Sequence, residues 1–69
     1  MDELSNSIAL LRAGRQISQT ELAEAIGVSR KTISTVETGR FTPSVVIALK
    51  LAQFFAVPVE QIFSLKAAE

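Results

Sequence analysis

The chain has 69 residues, room for one small domain, and contains neither cysteine nor histidine. That excludes disulfide staples, thiolate metal sites and a cysteine nucleophile, along with the commonest general base and metal ligand. Seven Lys and Arg balance 7 Asp and Glu, and a hydrophobic fraction of 48% is enough to close a compact helical core.

A core of this size supplies only about 3–5 kcal/mol on its own, so help from a second copy is natural. The longest apolar run, Val45 to Leu49, is too short to cross a bilayer. The acidic opening MDELSNS lacks the cationic start of a secretory leader, so a cytoplasmic protein is expected.

In chain order the punctuation predicts five helices, an all-α fold, and no β-hairpin. The first runs from about Ser5 to Gly14, with Ile8, Leu11 and Leu4 on one face. The second opens at Ser18, where Ser18-Gln19-Thr20-Glu21 reads as a capping box, and closes at Gly27 as a left-handed C-cap. The third takes Ser29 as N-cap and reaches about Thr38, with Gly39 ending it. Thr42-Pro43-Ser44 starts the fourth. From Val45 to Phe55 that helix is apolar nearly all round, which predicts the central, most buried element, with Lys50 and Gln53 on its wet face. Pro58 opens a short fifth helix to about Phe63. The whole chain, 1–69, reads as one domain with a helix-turn-helix at about 18–38.

At 100° per residue, Ile33, Val36 and Glu37 fall on one side of the third helix. Lys31, Ser34, Thr35 and Thr38 fall on the other, with Arg30 flanking its N-terminal end. An apolar back, a polar front and cations beside the positive end of the helix dipole suit insertion into a DNA major groove. Taken alone, Arg30 and Lys31 read as an ordinary solvated face. The joint pattern of capping box, glycine turn, second cap and polar front favours the groove-reading helix. Net charge of zero weighs against nucleic acid, but five of the seven cations (Arg12, Arg15, Arg30, Lys31, Arg40) lie between residues 12 and 40, among only Glu21, Glu24 and Glu37. A local basic surface on a neutral protein follows.

The stretch QTELAEAIGVSRKTISTVETGR resembles the helix-turn-helix signature of the phage repressor and Cro class, the xenobiotic-response-element family, and the resemblance extends from about Asn6 to Leu65. It rests on Gln19, Glu21, Leu22, Ala23, Gly27, Val28, Ser29, Ile33, Glu37, Gly39, Pro43 and Ser44. It implies a five-helix lambda-repressor-like domain acting as a homodimeric transcriptional regulator on a palindromic double-stranded DNA operator. By that resemblance Gln19, Thr38 and Arg40 hold phosphates, and Arg30, Lys31, Ser34 and Thr35 face bases; with the cap Ser29 these form the candidate DNA-contacting set. Three positions depart from the family pattern. Gln16 stands where glycine is frequent, which points to a first turn built on Gly14. Thr38 replaces an asparagine. Val46 occupies a usually polar place on the Lys50–Gln53 stripe.

Arg12 and Glu37 lie on core-facing sides of their helices and are expected to form a structural ion pair, as the resemblance also implies. Val59, Ile62, Phe63 and Leu65 offer more apolar surface than a short terminal helix needs, and are the expected dimer interface. Phe54, Phe55, Phe63 and Leu65 read as core or dimer interface rather than as a ligand pocket, since aromatics at helical spacing are usually core. Glu21 belongs to the capping box, and no nucleophile accompanies Glu24, so the reading is not an enzyme, with no cofactor and no metal. A protein partner such as a toxin would fit an autoregulatory role. The competing reading, a helical adaptor for another protein, predicts apolar or acidic residues on the front of the third helix, where Lys31, Ser34, Thr35 and Thr38 stand.

Overall fold

The computed structural model describes residues 2–67, without the side chains of residues 2 and 67. Five helices, α1 (Ile8–Arg15), α2 (Gln19–Ile26), α3 (Arg30–Glu37), α4 (Val45–Phe55) and α5 (Val59–Ile62), lie between two terminal strands, β1 (Asp2–Asn6) and β2 (Phe63–Ala67). Each of the three longest-range starts has its chemical reason. Ser18 accepts from the Glu21 amide at 3.0 Å while the Glu21 carboxylate accepts from the Ser18 amide at 3.0 Å, closing the capping box. Ser29 accepts from the Thr32 amide and Ser44 from the Ile47 amide, both at 3.1 Å.

Four helices end alike, with a left-handed residue followed by an amide that reaches back to the last turn: Ile17 N–H to Arg12 O, Val28 N–H to Ala23 O, Arg40 N–H to Thr35 O, and Val57 N–H to Ala52 O. α2 and α3 place glycine there, Gly27 at φ 76° and Gly39 at φ 77°. The other two use Gln16 (φ 57°) and Ala56 (φ 56°). The turn after α1 is therefore built on Gln16 itself, and Gly14 stays inside the helix, contrary to the reading from sequence.

The first helix begins at Ile8 rather than Ser5, because the residues before it are extended. β1 pairs antiparallel with β2, setting Glu3 opposite Lys66, Leu4 opposite Leu65 and Asn6 opposite Phe63. A Ser5–Ser64 hydroxyl bond of 2.8 Å spans the pair, and the opposed charges and leucines are favourable cross-strand neighbours. Asn6 joins strand to helices. Its carbonyl oxygen accepts from the Ile8 amide, the role Ser7 leaves unfilled, and its amide donates to the Val36 and Glu37 carbonyls at the end of α3. The all-α expectation thus gains a small terminal sheet.

The core gathers Ile8, Leu22, Ala23, Ile26, Ile33, Val36, Leu51, Phe55 and Ile62. α4 is not its centre. It packs against α2 and α5 on one side only, burying Leu51 and Phe55 while Val45 (74%), Val46 (62%) and Leu49 (51%) remain exposed. Ile62, expected at a dimer interface, is instead 1% exposed within the protomer's own core; it is the buried residue of α5 and belongs to the same cluster as Leu51 and Phe55. Val59 and Phe63 are half-buried, and Leu65 is 70% exposed.

Candidate nucleic-acid interface

Gly27, Val28 and Ser29 join α2 to α3. The left-handed Gly27 turns the chain, Val28 packs against the core, and Ser29 caps the new helix, so α3 leaves α2 at an angle with nothing loose between them. Ile33 and Val36, at 0% and 2% exposure, hold the back of α3 against Leu22, Ala23 and Ile26. The front then has to face outward. Arg30, Lys31, Thr38 and the loop residue Arg40 are exposed, as is Ser29, while Ser34, Thr35 and Gln19 are half-buried.

An ion pair fixes the far end of this helix. Arg12 Nε donates to Glu37 Oε2 at 2.6 Å and Arg12 Nη2 to Glu37 Oε1 at 3.0 Å, a bidentate fork. Arg12 Nη1 also donates to the Ile17 carbonyl, so one guanidinium ties α1, the turn after it and α3 together. Gln19 Nε2 donates to Glu37 Oε1 at 3.3 Å, which orients Gln19 at the first turn of α2. Burial pushes the Glu37 carboxyl upward, but the bonds from Arg12 and Gln19 and the Arg12 charge prevail, holding it below the ordinary glutamate value. The bond to Glu37 in turn raises Arg12, against burial and with the help of the Glu37 charge.

The front of α3 is less rich in free donors than its sequence suggests. The Thr35 hydroxyl donates to the Lys31 and Thr32 carbonyls at 2.9 and 3.1 Å. That of Thr38 donates to Ser34 and Thr35 carbonyls. The Ser29 and Thr32 hydroxyls share a 2.9 Å bond. The loop after α3 is laid against the helix by two amides, Arg40 N–H and Phe41 N–H, both donating to the Thr35 carbonyl at 3.0 and 3.2 Å. Between loop and helix opens a hollow of about 380 Å³, lined by Ser29, Lys31, Thr32, Thr35, Arg40 and Phe41.

With two capped helices at a glycine turn, and a polar helix front standing clear of the core, the chain matches a family model described as helix-turn-helix over residues 8–62. The chain belongs to the helix-turn-helix family. It is 42% identical over 60 residues to an uncharacterised helix-turn-helix-type transcriptional regulator of Methanocaldococcus jannaschii, covering 87% of this chain and 91% of that one. It is 37% identical over 60 residues to the transcriptional repressor RstR of the CTXphi cryptic phage from Vibrio cholerae, covering 87% of this chain and 54% of the repressor. A crystal structure from Bacteroides fragilis, of a protein described as DNA-binding, superposes with a TM-score of 0.78 at 30% identity, over 88% of this chain and 98% of that one. These resemblances agree with the phage-repressor and Cro-like class of small transcriptional regulators.

Within this helix-turn-helix, the cations divide into two groups. Arg15 points away from α3: its Nη2 donates to the Phe55 carbonyl at 3.1 Å, and its guanidinium lies 5.3 and 5.6 Å from the Phe54 and Phe55 ring centres. It thereby caps the C-terminus of α4, where a cation is favoured by the helix dipole. Arg12 is held by Glu37. Arg30, Lys31 and Arg40 have no such ties among the described residues and stand along one helix and its following loop. Three residues of the site escaped the sequence reading. Asn6 reads as an ordinary polar residue in the first turn of the expected helix, Thr32 falls between the two faces of the wheel, and Phe41 reads as a loop aromatic. Only Phe41 carried a local signal, an aromatic directly after Arg40 in a segment with no apolar periodicity.

Proposed function

We propose that this protein is a sequence-specific double-stranded DNA-binding transcriptional regulator, the whole chain acting as one domain, that binds a palindromic operator as a homodimer with α3 in the major groove. The observation that carries the reading is the grouping of the untied cations: Arg30, Lys31 and Arg40 flank the polar front of a helix whose back is locked in the core. Arg30 and Lys31, at the N-terminal turn, reach base edges together with Ser34 and Thr35. Ser29, Gln19, Thr38 and Arg40, at the ends of the helix-turn-helix and in its loop, hold phosphates and set the register. Neutral net charge is no obstacle, because Glu37 is neutralised by Arg12 and Glu21 faces its own cap.

Two recognition helices on successive turns of one duplex face require a spacing of about 34–36 Å between subunits. The apolar contact that joins them comes from side chains left open on the protomer: Leu65, with Val59 and Phe63 behind it, and the α4 stripe of Val45, Val46 and Leu49. Ile62 has no part in it.

The test is selection of bound sequences from random duplex DNA, followed by affinity measurements across salt concentrations. Arg30→Ala and Lys31→Ala should each cost about 1–3 kcal/mol on the selected site and relax preference at particular positions. Arg40→Ala should weaken all sequences alike and lower the salt slope by about one unit per protomer. Unchanged affinities for all three variants would overturn the assignment of this surface to DNA.

A further inference from the structure

We propose that the hollow between α3 and its following loop is a thymine subsite, in which the Thr35 γ-methyl and the Phe41 ring enclose the 5-methyl group of one base per half-site. The inference rests on the DNA-binding reading above and names the base that one part of that surface selects. Thr35 uses its hydroxyl proton inside its own helix, on the Lys31 and Thr32 carbonyls. With its proton spent inside the helix the hydroxyl has no donor for a ligand, which leaves the γ-methyl as its apolar contact group. Thr32 is likewise occupied, its hydroxyl against Ser29. The hollow's second wall is Phe41, a residue left 50% exposed whose backbone is laid against α3 by its amide bond to the Thr35 carbonyl.

An exposed aromatic and a threonine lining one hollow of about 380 Å³ offer an apolar niche in an otherwise polar helix front. Threonine methyls and phenylalanine rings are partners for the thymine methyl, the one apolar feature of the major-groove edge. Charge selects the same occupant. Lys31 and Arg40 stand at the rim, with no acid among the lining residues, so a base on a polyanionic strand is matched where a neutral apolar ligand is not. Arg40 lies beside the strand's phosphate, and Lys31 beside the neighbouring base edge.

The experiment replaces each thymine of the selected duplex, one at a time, by deoxyuridine, which removes only the methyl. Affinity is then measured by fluorescence anisotropy with the unaltered protein and with Thr35→Ser and Phe41→Ala. At one position per half-site uracil should weaken the unaltered protein about four-fold, the value of one buried methyl. Thr35→Ser keeps the hydroxyl and loses the methyl, so for this variant the same uracil should have almost no effect; Phe41→Ala should reduce the effect similarly. Uracil that is harmless at every position, on a duplex the protein still binds, overturns the subsite and leaves the DNA reading standing. Uracil sensitivity that persists in full in both variants also overturns it, since the methyl is then read elsewhere. Failure to bind any duplex overturns both. The first arm uses the unaltered protein, so a variant that folds poorly cannot produce its result.

Discussion

Removing either half of the Arg12–Glu37 pair should bring this protein close to unfolding, and the two removals should differ in pH response. Glu37→Ala should lose the pH dependence that Glu37 contributes, and Arg12→Ala should invert it. The side chains are 19% and 7% exposed, with contacts of 2.6 and 3.0 Å. Stranding one member of a buried pair costs about 3–5 kcal/mol. Glu37→Ala should fall at the lower end, because the freed guanidinium keeps its bond to Ile17 O and some access to water. Arg12→Ala should fall higher, since the carboxylate is deeper and retains only Gln19. A chain of this size without disulfides has only about 3–5 kcal/mol to lose. Urea denaturation followed by circular dichroism is therefore best run with a stabilising osmolyte such as trimethylamine N-oxide. In the unaltered protein Glu37 titrates below its ordinary value, so the folded state binds fewer protons than the unfolded chain. The stability it contributes is present above about pH 4.3, the unfolded glutamate value, and is lost as pH falls through the folded one. In Arg12→Ala the desolvation of Glu37 is no longer outweighed, its carboxyl titrates above the ordinary value, and stability should rise as pH falls from 7 toward 4. The coupling energy from the double mutant should exceed about 1 kcal/mol. Small, additive losses with parallel pH profiles would refute the buried pair.

Glycine and non-glycine left-handed turns predict opposite responses to substitution. Gly27→Ala meets no atom within 4 Å and should lose only the backbone strain, about 1 kcal/mol, whereas Gln16→Gly and Ala56→Gly should gain up to about 1 kcal/mol in thermal denaturation once glycine's greater unfolded-state freedom is subtracted. Arg15→Ala should lower stability by about 1–2 kcal/mol through the lost ring contacts and α4 cap while leaving the salt slope of DNA binding unchanged, which separates it from Arg40. For the dimer, sedimentation should show that Leu49→Glu, placing a charge on the α4 stripe, shifts the protein to monomer and removes the concentration dependence of its melting temperature; a monomer at high micromolar concentration for the unaltered chain, with and without DNA, would overturn the dimer.

What was legible in the sequence is what is decided within four residues. Ser18, Ser29 and Ser44 each accept from an amide three positions on, so a serine before an apolar period states both the cap and the helix start. Gly27 states its own turn. Ile33 and Val36 state the back of α3, and with it the front. The features that were not legible are settled by distant partners. Asp2–Asn6 becomes a strand because Ser64 and its neighbours, 59 positions away, lie beside it; nothing local distinguishes it from the first turn of a helix. Gln16 and Ala56 adopt a conformation that their side chains disfavour, because the segments after α1 and α4 must turn back to the core through Ile17 and Val57. A glycine-based rule looks to Gly14 and finds a helix.

α4 and the cations show the same limit from the side of function. An all-round apolar helix states that burial is wanted, but not whether the protomer supplies it. Here the protomer covers Leu51 and Phe55 and leaves Val45, Val46 and Leu49 open, so the apolar excess that the sequence assigned to the last helix belongs largely to the fourth. Charge behaves alike. Five cations between residues 12 and 40 suggest a broad basic surface, yet Arg12 is held by Glu37 and Arg15 by the end of α4. The remaining three stand on α3 and its loop, where Thr35 and Thr38 have turned their hydroxyl protons inward. On the proposed function, reading of DNA by this surface would depend on few charged donors and on the methyl and ring contacts proposed between them, which would favour discrimination by base identity over simple attraction to phosphate.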